Sequence, residues 1–193
     1  MLAWLARRSD RRRNARELYG SIVTQARLPT FYTDWGVPDT VEGRFEMLVA
    51  HVSVVLDRLG QEGGEGGTLA RALSEAFIAD MDANMREMTF GDLAVPREIK
   101  RAAAALFDRH GAYRGALAAR QPALLQRALE AQLAYLVPGG GLDAERIAHY
   151  MLRAGDGVAA LPARALLAGR LSWPSPTGRS RPQPGENAGK EHD

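Results

Sequence analysis

The stretch FYTDWGVPDTVEGRFEMLVAHVSVVLDRL, Phe31–Leu59, decides how the rest of the chain must fold. Its opening, Phe31–Asp39, packs three aromatics, a Gly and a Pro into one short loop. Each ring carries a large apolar area, so a loop this aromatic folds back onto a core or docks onto a partner. From there Val41, Phe45, Leu48, Val52, Val55 and Leu59 recur at steps of three and four, the apolar stripe of an α-helix. Asp39 stands three residues before Glu42, an Asp version of the capping box that would start this helix. Trp35 is expected to be at least half buried against this helix and the one beginning near Thr68.

Helical spacing continues on both sides. Asp10–Arg27 reads as a first helix with Leu18, Ile22 and Val23 on one side, followed by a loop over Leu28–Pro38. Gly60–Gly67 is rich in Gly and Glu and reads as a mobile connector. A third helix over about Thr68–Met88 carries Leu69, Leu73, Phe77, Met81 and Met85, and a loop follows over Thr89–Val95. Pro96 suits the first turn of a fourth helix, with Ile99, Ala103, Leu106, His110 and Tyr113 at helical spacing. Pro122 starts a fifth with Leu125, Leu129, Leu133 and Leu136, which Pro138 and Gly139–Gly141 end. Asp143 caps a sixth through about Ala154, and a last helix spans Val158–Leu171. No alternating strand pattern of useful length occurs. The expectation is an all-α fold: one helical domain of six or seven helices over residues 10–171. A basic segment precedes it at 1–9, and a disordered tail follows at 172–193.

Composition bounds the function. The chain has 193 residues, 46% hydrophobic and 25% charged, with a net charge of +2, ordinary values for a soluble globular domain. That charge gives no reason to expect DNA binding. The absence of cysteine excludes disulfides, thiolate catalysis and Cys-ligated metal sites. The opening MLAWLARR has the reverse order of a secretory signal, and no segment approaches the roughly 20 apolar residues of a membrane span. The expected location is the cytoplasm, with at most peripheral contact at the inner face of the membrane. Arg7, Arg8, Arg11, Arg12, Arg13 and Arg16 crowd the N-terminus. They have three readings: a solvated tail, attraction to anionic lipid with Leu2, Trp4 and Leu5 as apolar anchors, or attraction to ribosomal RNA.

Catalytic patterns are missing. His51 and His110 fall on or beside apolar stripes, where a lone histidine is more often a core residue than a ligand, and His192 lies in the tail. Glu145 and His149 are one turn apart without a partner motif, so neither di-iron nor zincin spacing is met. No Ser sits in a G-x-S-x-G elbow, and the glycine runs lack the Lys and Ser/Thr of a P-loop. No cofactor is expected. The segment DMDANMREM, Asp80–Met88, puts Asp80, Asn84 and Glu87 on one helical face and Met81, Met85 and Met88 on another. It reads either as an ordinary amphipathic helix or as a polar rim beside an adaptable Met-rich surface.

Three blocks carry a resemblance: Phe31–His51, Leu73–Met88 and Gly91–Tyr113, in that order. Together they resemble the ubiquinol–cytochrome c chaperone family, the bacterial relatives of the mitochondrial factor that assists cytochrome b biogenesis in the bc1 complex. The resemblance covers about residues 10–150. It departs at Pro96, where the family usually has a basic residue with Gly. It implies an all-helical, non-enzymatic assembly factor whose client is newly made cytochrome b. It further implies a small partner protein and contact with the ribosome. By position, Phe31, Tyr32, Trp35 and Pro38 match the family's aromatic entry. Arg44, Glu46 and His51 match its first helical block, and Asp80, Asp82, Arg86, Glu87 and Asp92 its acidic block. Phe31, Tyr32, Trp35, Arg44, Glu46, Asp80, Asp82, Arg86, Glu87 and Asp92 are therefore the candidate partner-binding residues. A client built of transmembrane helices needs an apolar, adaptable surface, and acidic residues around it could meet positive cytoplasmic loops. The alternatives are a helical quinone- or haem-binding protein using His51 or His110, and a generic helical adaptor for another membrane complex. An open apolar cavity at either histidine would favour the quinone or haem reading.

Overall fold

A computed structural model describes residues 2–87 and 94–177, with side chains described from Arg8 onward. The described residues are all-α: α1 (Leu2–Ala26), α2 (Thr30–Thr33), α3 (Val41–Gln61), α4 (Gly63–Glu87), α5 (Val95–Ala119), α6 (Pro122–Leu133), α7 (Ala144–Ala160) and α8 (Ala163–Leu167), with a 3₁₀ turn over Ala134–Leu136. Among them no helix is long and apolar enough to cross a membrane.

The central element is α3, which packs against α1, α4, α5 and α7. Every residue from Glu46 to Leu56 is buried, so α3 has no solvated face along that length. A helix apolar all round belongs inside a domain rather than on its surface. The single stripe expected for it is therefore incomplete: Met47, Val49, Ala50 and Val54 are as buried as Val52 and Val55, while Val41, at the start of the stripe, is 60% exposed.

Several boundaries differ from the sequence expectation. The connector over Gly60–Gly67 is almost entirely helical, with α4 beginning at Gly63. A Cβ at Gly66 would collide with the Leu59 carbonyl, so this glycine lets two helices meet closely instead of loosening the chain. The Asp39 capping box does not form. Thr40 is the N-cap, its hydroxyl accepting from the Gly43 amide at 3.1 Å, while Asp39 turns to Arg44 at 2.6 Å. Helix α1 starts at Leu2 rather than Asp10. Helix α7 runs to Ala160, absorbing the start of the expected last helix. Pro162 then restarts the chain as the short α8. Asp143 does cap α7, accepting from the Arg146 amide at 2.9 Å.

The aromatic loop closes over the core. It contains the single turn α2, held by Tyr32, whose hydroxyl donates to the Ala26 carbonyl at 2.7 Å. Phe31 and Trp35 are buried, with Trp35 only 3% exposed. Trp35 packs edge-on to Phe31 at 5.1 Å and to Tyr150 of α7 at 5.7 Å, so its aromatic neighbours come from α2 and α7. The loop is clamped from outside: the Asp143 amide donates to the Trp35 carbonyl at 2.9 Å. Gly36, at φ +73, faces the Gly141 carbonyl with no room for a side chain.

Within the same cluster His51 Nδ1 lies 2.7 Å from the Met47 carbonyl, and its Nε2 lies 2.9 Å from the Tyr150 hydroxyl. The carbonyl can only accept, so Nδ1 carries the proton and Nε2 accepts from Tyr150. Gln25 donates to Tyr150 at 2.9 Å and to the Pro174 carbonyl at 3.2 Å. The tail expected to be disordered from Ser172 is thus partly a strap. Trp173 packs on His51 at 5.4 Å and donates to Ser21 at 3.0 Å, and Arg153 donates to the Pro176 carbonyl at 3.1 Å. Residues 178–193, with His192, lie outside the described residues.

Two outcomes are expected. Trp35→Ala removes a fully packed ring and lowers the unfolding free energy by about 3–5 kcal/mol, read from urea denaturation. Burial holds the His51 imidazole down at about 4, below its ordinary 6.5. Between those values the unfolded chain binds the extra proton. The stability His51 contributes is complete above 6.5 and is lost as pH falls towards 4. Wild type should lose up to about 1.4 kcal/mol per pH unit more than His51→Gln across that window.

Candidate functional site

Where α3 emerges from the core at its N-terminal end, its neighbours do not close over it. A cleft of about 670 Å³ remains there, bounded by the C-terminal ends of α1 and α4, the first turns of α3, the face of α5 and Tyr135. The arrangement follows from composition. Val23 and Ala26 of α1, and Ala102 and Ala105 of α5, are too short to fill the gap between helices. Phe45 and Leu48 form one wall; Met81 and Met85 of α4 form the other. Behind this surface Phe45 packs on Phe77 at 6.0 Å, and Phe77 on Tyr19 at 6.4 Å. The rim is charged, with Arg27, Glu42, Arg44, Glu98 and Arg101 around the mouth.

One ionic group lies at the base of this cleft. The Glu46 side chain is fully buried and accepts from Arg109 of α5 at 2.8 Å and from the Tyr135 hydroxyl at 2.9 Å. A carboxylate taken out of water needs such partners, because desolvation otherwise makes its charge untenable. Glu46 raises the affinity of Arg109 for its proton through their hydrogen bonds. Burial first, then the bond to Glu46, pushes the Tyr135 hydroxyl up from its ordinary value. This holds the Tyr135 ring, 53% exposed, at the edge of an apolar opening.

The candidate residues fall into three groups. Arg44 and Glu46 line the cleft, Arg44 at the rim in its pair with Asp39. Phe31 and Trp35 face the interior, and Tyr32 is half-buried beside them. Asp80, Asp82, Arg86 and Glu87 lie along the last turns of α4. Asp80 accepts from the Tyr19 hydroxyl at 2.8 Å, Asp82 pairs with Arg86 at 2.9 Å, and Glu87 is exposed. Asp92 and Met88, with most of the loop expected over Thr89–Val95, lie outside the described residues. Sequence reasoning passed over Arg109 and Tyr135. The signal available was Glu46 itself: a carboxylate within an apolar helix requires a distant cation, though its spacing does not say which.

Neither histidine opens onto the cleft. Both ring nitrogens of His51 are engaged inside the core, and His110 is half-buried on α5 away from the lining. Among the described residues no three metal-ligating side chains converge. The condition that would have favoured a quinone or haem site, an open apolar cavity at His51 or His110, is not met at this cleft.

The family model for the ubiquinol-cytochrome C chaperone matches residues 33–173. The chain belongs to that family. A crystal structure of the Cbp3 homolog from Brucella abortus superposes with a TM-score of 0.77 at 31% identity, covering 92% of this chain and 98% of that one. A comparison with curated proteins returns no match. The matched span begins inside α2 and includes α3–α8 and the Trp173 strap position, so the cleft walls contributed by α3, α4 and α5 are family structure.

Removing one partner of the buried pair should be costly. Arg109→Met leaves Glu46 buried without its cation and is expected to lower the unfolding free energy by about 3 kcal/mol. Tyr135→Phe should cost about 1 kcal/mol, since Arg109 still satisfies the carboxylate. Chemical denaturation of the two variants beside wild type measures both.

Proposed function

We propose that this chaperone binds newly made cytochrome b during assembly of the ubiquinol–cytochrome c reductase complex. It does so without covalent chemistry, by receiving an apolar helical segment of the client in the α1–α3–α4–α5 cleft. The observation that carries the reading is the cleft's chemistry: an open apolar floor walled by Phe45, Met81 and Met85 under a charged rim. Methionine is unbranched and polarizable, and it adapts to apolar partners of varied shape. A helix laid into a groove between helices is a recurrent way of holding such a segment. The charged rim can engage the polar flanks of a transmembrane helix. The exposed Glu87 and the Asp82–Arg86 pair beyond it can meet the basic loops that membrane proteins keep on the cytoplasmic side. Such binding would place the chaperone at the cytoplasmic face of the membrane, where the client emerges.

The test combines genetics with crosslinking. Deleting the gene should lower the spectroscopically assembled bc1 complex while sparing cytochrome b transcription. Met85→Asp, which puts a charge into the wall of the cleft, should leave the melting temperature within a few degrees of wild type and fail to restore the complex. A photo-crosslinker at Val41, exposed at the mouth, should capture cytochrome b in cells. Full complementation by Met85→Asp would remove the cleft from the reading; normal complex in the deletion strain would remove the function itself.

A further inference from the structure

We propose that the arginine-bearing first half of α1 is a docking surface for anionic lipid headgroups, separate from the cleft. The helix is continuous from Leu2 to Ala26. The arginines at 8, 11, 12, 13 and 16 therefore ride on a helix and not on an irregular segment. Their stretch lies beyond the core: full burial of the described α1 side chains starts at Ala15, while Arg12, Arg13 and Arg16 are exposed and Arg11 is partly so.

Three of these arginines leave their charge uncompensated. Arg13 pairs with Asp10 at 3.0 Å. Arg11, Arg12 and Arg16 have no acidic partner among the described residues, and Glu17 is the other acid on the stretch. The turn after α8 adds to the same end. Asn14 donates to the Leu167 carbonyl at 2.9 Å, Gly169 lies against the Asn14 backbone, and the exposed Arg170 follows.

The sequence of this helix distinguishes a bilayer from a nucleic acid. Leu2, Trp4 and Leu5 occupy its opening turns, next to the arginines. Apolar and aromatic residues beside a cluster of arginines suit the boundary between headgroups and acyl chains. Arg11, Arg12 and Arg13 are consecutive, so they point in three directions around the helix. The helix thus docks by its end and does not lie flat. At 1.5 Å per residue, Arg12 stands about 20 Å along the axis from Ala26, where α1 borders the cleft. Lipid contact and client occupancy therefore use opposite ends of one helix and can be altered independently.

Co-sedimentation of the full chain with vesicles tests this. The probes are phosphatidylcholine alone and phosphatidylcholine mixed with phosphatidylglycerol. Binding is expected on the anionic vesicles, and added salt should weaken it. Each arginine near a charged surface contributes about fivefold in partition, so Arg11→Glu, Arg12→Glu and Arg16→Glu together should lower it by about a hundredfold or more. The triple variant should keep the wild-type melting temperature and the crosslink from Val41, which shows that fold and cleft are intact. Equal binding to both vesicle types, no binding to either, or an unchanged triple variant overturns the proposal. Retention on polyuridine that the triple variant loses, with no vesicle binding, overturns it in favour of a nucleic-acid surface.

Discussion

Burying α3 on every side is the constraint on which the rest depends. A helix apolar along one stripe can sit on a surface; one that buries every residue from Glu46 to Leu56 needs neighbours all round. Helices α1, α4, α5 and α7 supply them. The polar groups inside that stretch then have to be answered within α3 or from other elements. Ser53 donates back to the Val49 carbonyl at 2.8 Å, His51 reaches Tyr150 on α7, and Glu46 reaches Arg109 on α5. The last two bonds tell α7 and α5 where to sit, because a mispositioned helix would leave a buried polar group unsatisfied.

The cleft is the complement of that arrangement. Over its middle, α3 is enclosed; at its first turns the surrounding helices present Ala, Val and Met, and apolar surface stays open. Glu46 marks the boundary, its carboxylate buried while Tyr135, which it holds, is half in water. An ion pair in this position adds little net stability over apolar packing. Its effect is geometric: it ties α3, α5 and the turn after α6 together at the base of the cleft. Short alanines beside this fixed ionic contact leave the opening unfilled.

The misread segments share a cause. Glycine-rich Gly60–Gly67 looked like a linker because glycine weakens a helix in isolation, yet Gly66 is where α4 approaches the Leu59 carbonyl. The polar tail looked unable to bury anything, but Trp173 on His51 and Ser21, with Gln25 and Arg153 holding the Pro174 and Pro176 carbonyls, fastens its first residues over the core. Asp39 was the cap expected for α3, but Asp39 pairs with Arg44 and the Thr40 hydroxyl caps the helix instead. In each case a residue's local preference was outweighed by a partner distant in sequence or lying in the following turn.

By itself the sequence determined the all-α class, the existence of most helices, the Asp143 cap and the burial of Trp35, since all of these rest on periodicity, capping chemistry and ring area. Three blocks in order also determined the family. It could locate Met81 and Met85 on a common face and Glu46 within an apolar helix, but not relate them. Only the tertiary structure decided that the two methionines and Phe45 wall one opening, that Glu46 belongs to Arg109 and Tyr135, and that Trp35 packs on Phe31 and on Tyr150 of α7 rather than on the helix expected near Thr68. The reason is that helical spacing reports which residues share a face. What that face meets is set by helix packing, whose contacts join residues 63 and 89 positions apart in the Glu46 cluster alone.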